Sequence, residues 1–284
     1  MMTLTCIRHP VHAEMMSAKT MKDVQTKIEG VLKTQKPEDV LVAFDIDMTL
    51  TQPHHPAIYY PTIKKYVGVY KAILEALTPA QKDLASTLTT QIVPQKLVEK
   101  DAPKIVKSIQ NQGVKVIALT SSLAGQIKGF SDKMIVLRRD QLQKMGFDFT
   151  KTFKNFVLVT TFFNFKTYAD AHPMFYHGVL STNGEGDVSK GDLLVAFFRH
   201  VSHDYEDKVR KPGYYPKVVI LVDDKKKHLE NVEAQLKSYD PSIQFIGIEY
   251  EGAFAYAPQV ISKEEFQKFW SDLAHQAKAL ACAF

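Results

Sequence analysis

The chain has 284 residues, 45% hydrophobic and 24% charged, with 36 Lys and Arg against 31 Asp and Glu for a formal net charge of +5. That length buries at least one substantial core, and the charge is too slight for a dedicated nucleic-acid binder. No stretch reaches the ~20 apolar residues of a membrane-spanning helix, and thirteen Gly and thirteen Pro exclude wholesale disorder and collagen-like repeats.

The chain opens with MMTLTCIRHPVHAEMM. An arginine and a His-Pro pair interrupt it where a secretory signal needs about 7–15 apolar residues. No such signal is expected, and delivery by other secretion machinery stays open. Cys6 and Cys282, at opposite ends and without CxxC spacing, read as free thiols of a reducing, cytoplasmic compartment. Met21, Val24, Ile28, Val31 and Leu32 are spaced as one helix face, so residues 1–38 are expected to form an N-terminal helical extension. Residues 40–45 (VLVAFD) are nearly all apolar, which suggests a strand covered on both faces of a parallel sheet. The same signature predicts strands at 114–120, 133–137, 217–224 and 244–250. Helices are expected between them at 101–112, 190–200 and 225–238. Alternating strands and helices predict an α/β fold with an open, mainly parallel sheet, occupying about residues 39–262.

An insertion interrupts this core at about residues 54–100. Ile63, Tyr66, Val67, Tyr70, Leu74 and Leu77 form an apolar helical stripe, and Thr78-Pro79 starts a second helix. Two helices placed straight after the first core strand predict a small cap over that strand's end. Residues 151–189 read as strands joined by an irregular segment. In the C-terminal helix, 263–284, Phe266, Phe269, Trp270 and Leu273 share one side; packing on the core is the simpler reading, docking to a partner or a membrane surface the other.

Four polar features carry chemistry: Asp45-Ile46-Asp47-Met48-Thr49, Thr120-Ser121, Lys190 and Asp223-Asp224. Ligands bind at the carboxyl ends of strands in an open α/β sheet, and three of these features stand at such ends. Two carboxylates two residues apart repel unless a cation lies between them. A second acidic pair supplies further oxygen ligands of the kind Mg²⁺ takes. Lys190 and the Thr120 hydroxyl then suit the non-transferring oxygens of a phosphoryl group. GxxxxGK[ST] is absent, which excludes a P-loop. The acidic pair follows the lysine, the wrong order for a receiver domain.

The chain resembles the haloacid dehalogenase-like superfamily in FDIDMTL, VIALTS, DVSKGDLL and VILVDD, over about residues 40–250. The resemblance implies a Rossmann-like three-layer sandwich with its first strand central. It also implies a Mg²⁺-dependent phosphatase working through an aspartyl-phosphate. Asp45 would be the nucleophile and Asp47 the acid and base, with Thr49 holding the turn that positions Asp47. Thr120, Ser121 and Lys190 would bind phosphate. Asp45, the Asp47 main-chain carbonyl and Asp223 would bind Mg²⁺, with Asp224 as a ligand or a partner behind it. Dehalogenases of the superfamily generally lack the second aspartate, so Asp47 favours phosphate chemistry. Met48 stands where Gly is frequent. The arrangement is also similar to a subgroup found in intracellular bacteria, some members of which are secreted phosphoprotein phosphatases, including on phosphotyrosine. This implies a phosphoprotein substrate and delivery into a host cell; a small phosphometabolite or nucleotide is the alternative, and a binding or membrane-surface scaffold a different class. His54 and His55 read as turn residues rather than ligands. Tyr59, Tyr60, Tyr66 and Tyr70 read as cap packing rather than an aryl pocket, and Lys225 and Lys226 stand close enough to the acidic pair to help bind an anion.

Overall fold

The structure is a computed structural model and describes residues 13–126, 133–153, 159–168, 170–184, 186–209 and 214–282; Cys6 and the rest of residues 1–12 lie outside these. The chain begins with β1 (Glu14–Ala18), α1 (Met21–Val31), β2 (Val40–Phe44) and β3 (Thr51–Pro53). The cap follows as α2 (Tyr60–Lys65), α3 (Val67–Glu75) and α4 (Pro79–Ile92), closed by β4 (Gln95–Leu97). Next come α5 (Ala102–Asn111), β5 (Lys115–Thr120), α6 (Met134–Lys144), β6 (Val159–Thr161), β7 (Met174–Tyr176) and β8 (Val179–Ser181). The chain ends with α7 (Lys190–Val209), β9 (Val218–Asp223), α8 (Lys226–Tyr239), β10 (Gln244–Tyr250), α9 (Gly252–Ala255) and α10 (Lys263–Cys282).

The main sheet runs β1-β10-β9-β2-β5-β8-β7-β6. Pairing is parallel from β1 to β8 and antiparallel through β7 and β6. The α/β expectation holds, with a mostly parallel central sheet between helix layers. Alternate residues explain the unbroken apolar runs: Val40, Val42 and Phe44 face α1 and α5, whereas Leu41 and Ala43 face α7 and α8. The first motif-bearing strand, β2, is central, between β5 and β9.

Some readings change. Residues 133–137 are not a strand but the cap and first turn of α6, where Met134, Ile135, Arg138 and Leu142 are buried at helical spacing. A short apolar run does not tell the two apart. The N-terminal segment is more than a helical extension: β1 pairs with β10 and adds a strand to the sheet.

β3 and β4 pair antiparallel as the stem of the cap. The expected first cap helix is two, because the chain turns at Tyr66 (φ −109°, ψ 30°), whose hydroxyl donates to the Ile261 carbonyl at 3.0 Å. Thr78 and Gln81 cap α4 reciprocally. The C-terminal stripe packs on the cap rather than on the sheet: Phe266, Trp270 and Leu273 bury against Leu77, Leu84 and Leu88, and the Trp270 indole donates to the Ala57 carbonyl at 2.9 Å. Among the described residues no helix is long and apolar enough to cross a membrane.

The β7–β8 hairpin turns on His177 (φ 46°) and Gly178 (φ 90°), the left-handed pair of a type I′ turn. A Cβ at position 178 would collide with the Phe149 main chain. Gly178→Ala is therefore expected to lower the unfolding free energy by more than about 1–2 kcal/mol, read from urea denaturation midpoints.

Candidate active site

Asp45 follows β2 directly, Thr120 ends β5 and Asp223 ends β9, and these three strands are neighbours. Their side chains therefore meet at one sheet edge where the flanking helices switch faces, the crevice in which ligands of open α/β sheets bind. The Asp45 amide donates to the Val222 carbonyl at 2.8 Å, which ties the two acidic strand ends together.

Lys190 reaches this edge from the first position of α7. Ser189 caps that helix: its hydroxyl accepts from the Asp192 amide at 3.1 Å, while the Asp192 carboxylate accepts from the Ser189 amide at 3.2 Å. The Gly191 amide donates to Asn231 Oδ1 at 2.9 Å and seats α7 on α8. So anchored, Lys190 is 2% exposed, and its ammonium donates at 2.6 Å to both Asp45 Oδ1 and Asp223 Oδ2. Asp223 also accepts from the Lys225 amide at 2.9 Å and lies 3.0 Å from His228 Nδ1.

These partners set the charges. Burial pushes the Asp45 carboxyl well above its usual range; Lys190 opposes that, and Asp223 and Asp224 add to it. Burial also raises Asp224, and the charge of Asp223 adds to the effect, bringing it to about 7. Asp223 goes the other way: burial disfavours its charge, but Lys190 and His228 overcome this and hold it low. Lys190 is likewise pushed up, Asp223 and Asp45 outweighing its burial. Of the two carboxylates sharing Lys190, Asp223 has the extra donors, from the Lys225 amide and His228.

The turn after β2 is closed by its main chain: Leu50 and Thr51 amides donate to the Ile46 carbonyl at 3.0 and 2.9 Å, and the Met48 amide to Thr51 at 2.7 Å. Thr49 lies buried inside, its hydroxyl without a hydrogen-bond partner among the described residues, so the turn does not depend on that hydroxyl. Met48, where Gly is frequent in the resembling superfamily, takes the left-handed conformation (φ 65°) with a buried side chain. Packing of the thioether against the core offsets the backbone strain. The turn presents Asp47 outward, its side chain 48% exposed and ion-paired to Arg138 Nη2.

A cleft of about 580 Å³ lies over these groups. Asp45, Asp47, Thr120, Ser121, Lys190 and Asp224 line its floor. The cap contributes Tyr60, Tyr70, Leu74 and Lys82. Asp223 lies beneath, in contact with Lys190, and Thr49 is not among the lining residues. Thr120 Oγ1 lies 3.0 Å from Ser122 Oγ. Of the cap tyrosines, Tyr60 and Tyr70 reach the cleft, while Tyr59 bonds the Ala253 carbonyl at 3.1 Å and Tyr66 packs on Phe266. His55 stacks on Phe269 at 4.3 Å, and neither His54 nor His55 lines the cleft. Lys225 lines it; Lys226 pairs with Glu230 at 3.7 Å.

Arg138, His228 and Ser122 also line the cleft, and the motifs do not point to them. His228 had a signal, a histidine one helical turn beyond the acidic pair. Arg138 had none, because it follows a run that reads as a strand.

A cation fits this donor set. Asp45, Asp223 and Asp224 each offer an oxygen, all within 4.8 Å of one another, as hard divalent ions require. Four carboxylates, those of Asp45, Asp47, Asp223 and Asp224, gather around Lys190 and Arg138, with His228 against Asp223 and the Lys225 charge acting on Asp224, and a divalent cation would add to their neutralisation. Protons compete for the two raised carboxyls, so Mg²⁺ is expected to raise the melting temperature more at about pH 8 than at about pH 5. Equal shifts at both would contradict metal binding by these groups.

An uncharacterized protein of Rickettsia bellii (strain RML369-C) is 26% identical over 234 residues, covering 78% of this chain and 72% of that protein. One from Rickettsia felis (strain ATCC VR-1525 / URRWXCal2) is 25% identical over 280 residues, 94% of this chain and 86% of its own length. A third, from Rickettsia conorii (strain ATCC VR-613 / Malish 7), is 25% identical over 256 residues, 89% and 81% of the two chains. The family profile described as "Protein of unknown function (DUF2608)" matches residues 17–281, nearly the whole chain, and the protein belongs to that family.

Proposed function

We propose that the protein is a Mg²⁺-dependent phosphatase of the haloacid dehalogenase-like kind, hydrolysing phosphomonoesters through an aspartyl-phosphate on Asp45. The observation that carries this reading is the meeting of Asp45, Asp47, Thr120, Lys190 and Asp224 on the floor of one cleft. In the first step a carboxylate oxygen of Asp45 attacks phosphorus, and the bond from phosphorus to the ester oxygen breaks. Asp47 gives that leaving oxygen its proton. In the second step water attacks the same phosphorus, Asp47 takes the water's proton, and the bond to Asp45 breaks. Lys190 and the Thr120 and Ser121 hydroxyls hold the non-transferring oxygens. Mg²⁺, held by Asp45, the Asp47 carbonyl, Asp223 and Asp224, would supply neutralisation of the phosphoryl charge. The buried side chains around Asp45 keep water from solvating the nucleophile.

Phosphotyrosine of a protein is the substrate we favour, because Tyr60, Tyr70 and Lys225 line the cleft beside the acidic groups. The test is a panel of phosphotyrosine and phosphoserine peptides, sugar phosphates and nucleotides. The expected result is hydrolysis that EDTA stops and Mg²⁺ restores, fastest on phosphotyrosine. Hydrolysis fastest on a sugar phosphate or nucleotide would overturn the substrate class alone; no hydrolysis of any would overturn the reaction.

A further inference from the structure

Four residues of α6 are buried, and three of them are the apolar Met134, Ile135 and Leu142 that pin the helix to the fold. The fourth is Arg138, with its side chain 5% exposed. A buried guanidinium is costly unless a charge and hydrogen bonds compensate it, and an apolar residue of equal length usually serves packing better. Arg138 is only partly compensated. Nη2 pairs with Asp47 Oδ1, Nη1 donates to Gln141 Oε1 at 3.3 Å, and Nε is buried without a hydrogen-bond partner among the described residues. The carboxylate it holds is the more exposed member of the pair, 48% against 5%. The fixed member is therefore the arginine, locked by helix packing, and the member being fixed is Asp47.

The asymmetry has a chemical consequence. Asp47 stands on a turn that projects it into the cleft, where an aspartate without a partner would sample several rotamers. A buried donor on Oδ1 selects one of them and leaves the other oxygen, Oδ2, to serve the reacting group. We infer that Arg138 is a positioning residue, holding Asp47 where it passes its proton to the leaving oxygen as the ester bond to phosphorus breaks. The inference rests on the phosphatase reading above. The proton returns to Asp47 from the water that attacks phosphorus in the second step, so no other proton carrier is needed.

A positioning role has a signature that a structural or phosphate-binding role lacks. Protonation matters for a poor leaving group and hardly at all for one that departs as a stable anion. The experiment compares kcat/KM on phenyl phosphate and on dinitrophenyl phosphate for the intact chain, Arg138→Met, Arg138→Lys, Asp47→Asn and the Arg138→Met/Asp47→Asn double variant. Arg138→Met is expected to lose about 10²-fold on phenyl phosphate, the scale of a misplaced catalytic group, and less than about threefold on dinitrophenyl phosphate. Arg138→Lys, with a point charge in place of a planar fork, falls between. The double variant is no slower than Asp47→Asn alone, since both changes remove one function. The ratio of the two substrates is taken within one preparation, so a reduced folded fraction cancels. If Arg138→Met does not fold, Arg138→Lys carries the same comparison. Equal losses on both substrates, or additive losses in the double variant, would overturn the positioning role and leave the phosphatase reading intact. An intact chain that hydrolyses neither ester would overturn both.

Discussion

Asp45→Asn is expected to reduce hydrolysis of an aryl phosphate by at least about 10⁴-fold, as loss of a covalent nucleophile does elsewhere, while the chain stays folded. The amide matches the carboxylate in size and still accepts from Lys190, which now stands 2.6 Å from Asp45 Oδ1. Stability is expected to hold because Asp45 is 5% exposed and burial already disfavours its charge. Removing a charge that the site resists does not destabilise the fold. Kinetics with Mg²⁺ present and a denaturation curve on the same preparation check both halves. Substantial turnover by this variant would sink the mechanism.

Lys190→Met is expected to have the largest effect on stability as well as abolishing turnover. The ammonium is the shared partner of Asp45 and Asp223, 2.6 Å from each, and all three side chains are buried. Taking away the cation strands two carboxylates, and breaking a buried pair from one side costs about 3–5 kcal/mol. The sign of the pH dependence follows. Without Lys190 the folded-state carboxyls titrate above their unfolded values. The folded form is then favoured at acid pH, and that advantage is lost as pH rises through the raised folded values. The variant's deficit in urea, measured in EDTA, should therefore be largest at neutral pH and smallest near about pH 4, the unfolded carboxylate range. A variant as stable as the parent at neutral pH would show that Lys190 does not balance these groups.

How much of this was legible in the sequence depended on what surrounds each residue. β2, β5, β9 and β10 were readable because helices cover both faces and nearly every position between the strand ends is buried and apolar. β1 was not, since EMMSA is a largely exposed edge strand whose register is set by β10. Asp45, Thr120, Lys190 and Asp223 were readable because each stands where a strand ends or a helix begins. Arg138 was not: its partner Asp47 lies 91 positions away, and nothing local distinguishes a buried arginine from a solvated one. The C-terminal stripe was legible as a packing face, but that it closes the cap follows only from the position of α4.

Loss of activity alone does not separate an Asp45 that accepts the phosphoryl group from an Asp45 that only binds metal. Quenching the enzyme in acid during turnover of an aryl phosphate, reducing with borohydride and sequencing by mass spectrometry decides it. The expected product is homoserine at position 45 in place of aspartate, formed only when substrate was present. Turnover with Asp45 unmodified, or with the modification on another carboxylate, would contradict the central claim.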